Sequence, residues 1–186
     1  MVTTAHDEWL SRLDDKFAKS KEDFVKHFKN KYPTDSLPIW MAVELWDFGT
    51  LSHLFSGMTV ADKDTIAAHY GLPTGAMLER WLRCLNDVRN ICAHHSRLWN
   101  RPLVAQPSWP VLGVIADLDH LDGDTHGQTR FYAALLIMRH LLKVVNPTSQ
   151  WATRVVEHVA TFPTSPYITL RGGGFPPQWE TLPAWS

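Results

Sequence analysis

Arg89, Asn90, His94, His95, Arg97 and Asn100 fall within the short stretch 89–100. Imidazole takes up and releases protons near neutral pH. A guanidinium grips phosphate oxygens through two parallel N–H donors. A proton-transfer group beside a phosphate-binding cation is the equipment for cutting RNA without a metal. The plain alternative is a solvated polar stripe on a helix, with Arg97 and Asn100 satisfying the last carbonyls of that helix.

The element that must position these groups is a long amphipathic helix. Thr74 is placed to cap it, and Met77, Leu78, Trp81, Leu82, Leu85, Val88 and Cys92 form its apolar seam. Pro102 predicts its end at or near Arg101. On an ideal wheel Arg83, Asp87, Asn90, His94 and Arg97 share the face opposite Leu85. Asn90 and His94 are an i,i+4 pair that can touch, and Asp87 lies one turn earlier, where a carboxylate could orient an imidazole. Arg89 is displaced, about 140° round from His94 at ~100° per residue. The two converge only if the helix bends near His94, if the long Arg89 side chain reaches round, or if a second copy supplies one of them. His95, at the seam's edge, reads as a hydrogen-bonded, partly buried histidine.

Around this helix the pattern is helical throughout. Trp9, Leu13 and Phe17, then Phe24, Val25 and Phe28, predict two short helices, with Ser20 as an N-cap and a lysine-rich polar side that reads best as solvated. Ile39 to Phe55 predicts one strongly apolar core helix, bent at Gly49. Glu44 and Asp47 on that background either face water or pair with the cations of 89–97. Further helices are predicted over about 62–70, 111–121, 128–145 and 151–161. The fold class is therefore all-α, a helical bundle. After Phe162, recurrent Pro and Gly exclude long helices, while Tyr167, Phe175, Trp179 and Trp185 predict an extended tail docked on the bundle. The expected organisation is a helical domain over 1–162 with the tail, 163–186, belonging to it.

Bulk properties narrow the classes. At 186 residues and a net charge of -1, any nucleic-acid partner must be held by a local patch. The two cysteines, Cys84 and Cys92, lie about 12 Å apart along one helix at ~1.5 Å rise per residue, too far to bridge. With no apolar signal region and no apolar run near ~20 residues, a soluble, cytoplasmic protein without membrane association is expected. Adjacent His94 and His95 diverge on a helix and do not make a zinc site, so no metal or other cofactor is expected. Gly172–Gly173–Gly174 lacks the GK[ST] of a phosphate loop, and Ser96 has no nucleophile-elbow context.

The motif Arg89-Asn90-x-x-x-His94 resembles the R-N-x-x-x-H signature of the HEPN superfamily. Its extended form through Arg97-Leu98-Trp99-Asn100 resembles the Abi-type abortive infection proteins, the Abi-like family. Lys31-Tyr32, Leu37-Pro38-Ile39-Trp40, Glu44, Phe48-Gly49-Thr50-Leu51, Gly174-Phe175-Pro176-x-x-Trp179 and Leu182-Pro183-x-Trp185 agree in order with that narrower family. The family typically has further helices before the point where this chain starts, so Met1 reads as the start of a shortened form.

The resemblance implies a HEPN-like bundle that forms a homodimer with both signature motifs facing one cleft. The implied activity is that of a metal-independent endoribonuclease, a toxin of antiviral, phage-resistance defence. His94 would be the general base or acid at the ribose 2′-OH, and Arg89 would stabilise charge on the phosphate. Asn90 would orient the site or contact the phosphate, and His95, Arg97, Asn100 and Glu44 would be auxiliary or RNA-binding. RNA is the implied substrate, with an antitoxin or sensor as a candidate partner. A non-catalytic RNA-binding or protein-interaction module is the alternative.

Overall fold

Threonine and aspartate caps set where most of the long helices begin. In the computed structural model, which describes residues 4–163 and 165–185, the chain groups into two compact units, Met1–Met58 and Thr59–Ser186. All regular structure among the described residues is helical, as the spacing of apolar residues predicts.

In the first unit, α1 (Ala5–Lys19) starts at a capping box in which Asp7 N–H donates to Thr4 Oγ1 and Thr4 N–H to Asp7 Oδ2. Its Phe17 ring meets Phe28 of α2 (Asp23–Lys31) at 6.3 Å. Ser20 ends α1 and Glu22 caps α2, so the expected N-cap is displaced by two residues. The lysine-rich side is largely exposed, as expected, with local pairs on it: Lys16 with Asp47, Lys19 with Asp15 and Lys26 with Asp23, while Lys29 donates to the Phe17 and Ala18 carbonyls.

The single core helix expected from Ile39 to Phe55 does not form. The chain makes α3 (Ile39–Ala42), a 3-10 turn (Val43–Leu45), an extended Trp46 and then α4 (Phe48–Gly57). Asp47 causes the break, because its Oδ1 accepts from Thr50 N–H at 2.7 Å and competes with helix continuation. Trp46 turns aside to meet Trp9 edge-on at 5.3 Å. Ile39 and Trp40 are 58% and 72% exposed and not core. Asp47 faces water, as one of the two expectations has it, and pairs there with Lys16, whose Nζ sits 2.6 Å from Oδ2, rather than with a cation of 89–97. That ammonium, with the Thr50 donors, holds the carboxyl down at about 2.

In the second unit α5 (Val60–His69) and α6 (Gly75–Ala93) are capped by Thr59 and Thr74. They approach so closely at Gly75 that a Cβ there would lie 2.6 Å from the Lys63 carbonyl carbon. α6 also packs on α8 (Phe131–Val145), whose residues 132–137 are all buried. The helix predicted over 111–121 shrinks to a 3-10 turn, Ala116–Leu121, because Gly113 adopts φ 84° and Asp119 Oδ1 accepts its N–H. The one predicted over 128–145 forms as α8, beginning three residues late at an extended Arg130, and a short α7 (Thr125–Gln128) that the pattern does not predict precedes it. α9 (Trp151–Ala160) lies where its pattern places it. No helix of the described residues is long and apolar enough to cross a membrane.

The segment after α9 makes two 3-10 turns, Leu170–Gly173 and Trp179–Thr181, and buries Phe175, Trp179 and Trp185 around Tyr132. Trp185 Nε1 donates to Tyr132 Oη at 3.0 Å, and burial pushes the Tyr132 phenol well above its ordinary range. Arg171 clamps the segment through two bonds to Asp124, at 2.6 and 2.7 Å, while Asp124 also caps α7. This guanidinium, helped by the Gly127 amide, holds the Asp124 carboxyl at about 2.

A depressed carboxyl contributes stability above its unfolded value of ~3.9 and loses it as pH falls through the folded value. Acidification from about pH 4 to 2 is therefore expected to loosen the C-terminal segment. Fluorescence of its tryptophans should shift over that window, and Asp124→Asn should remove that part of the shift. An unchanged acid profile in the variant would show that the pair does not hold the segment.

Candidate functional site

α6 stops short of Arg101. Its last residue is Ala93, and His94 is the C-cap at φ -92°, ψ 12°. The next two amides turn back on the helix: His95 N–H donates to the Cys92 carbonyl and Ser96 N–H to the Ile91 carbonyl, both at 3.0 Å. This pair of bonds is a Schellman ending, which puts its C′ residue in the left-handed region. Here that residue is His95, at φ 51°, where a side chain carries a cost that glycine avoids. Pro102 is not the terminator. The helix has already ended, and no side chain after His94 follows the wheel.

Residues 96–105 return along α6. Leu98 packs on a cluster of Cys84, Val88, Leu103, Ala133 and Ala134. Asn100, at φ 53°, makes the second left-handed turn. The returning segment is pinned just after Pro102. Leu103 N–H donates to the Thr129 carbonyl at 2.9 Å, and Ala105 N–H donates to Asp87 Oδ2 at 3.0 Å. Trp99 is stacked between Phe162, at 4.7 Å, and Phe175, at 6.1 Å.

Between the end of α6 and this returning segment lies a shallow cleft of about 250 Å³. Asn90 and His94 line it, together with Asp87, Ser96 and Arg101, and Ile91 and Val104 supply apolar edges. The volume is below the ~300–1,000 Å³ of an enclosing small-molecule pocket, so the cleft suits one segment of a chain lying across it.

Asn90 and His94 thus share one surface, as their i,i+4 spacing predicts, although His94 sits just past the helix. Arg89 is exposed and does not line the cleft. Its Nη1 donates to Asn90 Oδ1 at 2.9 Å, so the motif arginine and asparagine are joined side chain to side chain. His95, Arg97 and Asn100 are exposed and lie outside the cleft lining. His95 is therefore not the partly buried histidine its wheel position suggests, because the Schellman turn lifts it off the seam. Asp87 does not orient His94. Its hydrogen bond goes to the Ala105 amide, so it braces the returning segment.

Glu44 is exposed in the first unit, where it lines a broad groove with Arg12, Lys16, Lys19 and His53. Cys84 is a core residue, and burial, reinforced by Asp87, pushes its thiol up to about 12. It has no nucleophile character at neutral pH. Arg101 is the cleft residue that periodicity did not mark. Its position before Pro102 was the available signal, since a residue preceding proline is driven out of the helical region and must project from an extended chain.

A model of the family described as Abi-like protein matches residues 2–100, that is 99 of the chain's 186 residues. The match runs through the motif and ends at Asn100. No curated protein and no solved structure gives a significant match.

Proposed function

This chain belongs to the Abi-like protein family, and from that membership we propose that it is a metal-independent endoribonuclease of abortive infection, a phage-defence effector that cuts RNA. The observation that carries this reading is the cleft itself. His94 lines it at the end of α6, its imidazole making no hydrogen bond with the described residues, beside Asn90, whose side chain accepts from Arg89.

In this reading His94 takes the proton of a ribose 2′-OH as the oxygen attacks the adjacent phosphorus. The P–O2′ bond forms, the P–O5′ bond breaks, and the departing 5′-oxygen receives a proton from an imidazolium. The products are a 2′,3′-cyclic phosphate and a 5′-OH end. Arg89 balances the charge that builds on the phosphate oxygens, and Asn90 keeps its guanidinium in place. Because Arg89 lies outside the cleft of its own chain, the reading includes a homodimer in which each Arg89 serves the phosphate held at the other copy's His94. His95, Arg97, Asn100 and Glu44 are left as auxiliary contacts to RNA.

The test is cleavage of total RNA by the purified protein in EDTA, followed by analysis of the new ends. Cyclic phosphate and 5′-OH ends are expected. Absence of cleavage, or cleavage only with added Mg²⁺, would overturn the reading.

A further inference from the structure

We infer that Arg101 is the cation that holds the scissile phosphate within the same chain as His94, a role that no motif residue fills there. The inference rests on the endoribonuclease reading above for its reaction, and on the cleft alone for its anion site.

Three features point to Arg101. It lines the cleft with His94, Asn90 and Ser96, whereas Arg89 does not. Arg101 is half-buried as a residue, and its guanidinium makes no hydrogen bond or ion pair with the described residues. Asp87 is the carboxylate nearest at hand in the cleft, and its hydrogen bond is to the Ala105 amide. A guanidinium left without an anion partner is free to bind one, and its planar fork matches two oxygens of a phosphodiester.

Placement is the third feature. Arg101 sits between two anchors, Trp99 stacked against Phe162 and Leu103 bonded to Thr129, so its backbone is held against the cleft and does not trail from it. A cation held on a rigid segment loses little freedom when the phosphate arrives. The cleft then supplies the base, His94, and a phosphate-binding fork, Arg101, from one chain. Arg89 of a second copy completes the charge balance from the other side.

Two measurements decide it. In the first, inorganic phosphate is titrated into the full chain while the ring resonances of His94 are followed. The wild type should respond and Arg101→Ala should not, with Arg101→Lys intermediate. A wild type that does not respond, or an Arg101→Ala variant that responds equally, would overturn the inference. The arginine's lack of protein partners means the variant should keep the wild-type circular dichroism and thermal midpoint.

In the second, RNA cleavage by Arg101→Ala should fall about 10²–10³-fold, as on removing one donor to developing charge. Mixing Arg101→Ala with His94→Ala chains should not restore activity, because both groups are needed in one chain. Recovery in that mixture, or full activity of Arg101→Ala alone, would refute the inference. If the wild type cuts no RNA, the endoribonuclease reading falls while the phosphate titration still decides whether Arg101 and His94 form an anion site.

Discussion

His94→Ala should lower RNA cleavage by about 10²–10⁴-fold, the usual loss when a positioned proton-transfer group is removed, with no loss of fold. The imidazole is exposed and makes no hydrogen bond with the described residues, so nothing in the core depends on it. Arg89→Ala should cost about 10²–10³-fold through lost charge stabilisation. It also frees Asn90 Oδ1, so Arg89→Lys should recover less than its charge alone suggests. The two inactive variants can be mixed to test where the groups act. If Arg89 serves the other copy's His94, random reassortment of a symmetric dimer leaves one intact site in half the dimers, and about a quarter of wild-type activity should return. No recovery would mean that Arg89 acts within its own chain or not at all. Contrast with the Arg101→Ala and His94→Ala mixture, which should stay inactive, separates a cation supplied across the dimer from one supplied within the chain.

Gly173→Ala is expected to destabilise the second unit by about 1–3 kcal/mol, the range for forcing an extra carbon into a packed core. A Cβ at Gly173 would stand 2.6 and 2.7 Å from two carbons of the Trp99 ring and 3.1 Å from Phe175. The Trp99 ring cannot simply retreat, because Phe162 stacks on it at 4.7 Å. Relief has to come from moving either the C-terminal segment or the segment that carries residues 96–101. The same substitution should therefore reduce cleavage more than a remote change of equal stability cost. Gly172→Ala, where the nearest Trp99 atom is 3.2 Å away, should be milder on both counts. Urea unfolding combined with an activity assay well below the midpoint would separate the two effects. Equal stability for Gly173→Ala and wild type would show that the ring contact is not tight in solution.

The start of α6 was legible because it obeys a local rule: Thr74 accepts from Met77 N–H, and apolar residues follow at helical spacing. Its end was not. The terminator is His95 in a conformation that usually marks glycine, so neither composition nor proline placement reveals it. The broken helix at Trp46 and Asp47 has the same origin, since every residue there is compatible with an apolar helix until Lys16 and Thr50 make the Asp47 cap worth forming.

By itself the sequence determined the all-α class, the Thr74 cap of α6, the shared surface of Asn90 and His94, and, through the match over residues 2–100, the family. These follow from interactions within about one helical turn, or from residue order. Tertiary structure alone decided which cation joins His94 in a cleft, that Asp87 braces the chain, and that Trp99 meets Gly173. Each of those depends on contacts between residues far apart in the chain, such as Leu103 with Thr129 and Trp99 with Phe162, whose register no helical period encodes.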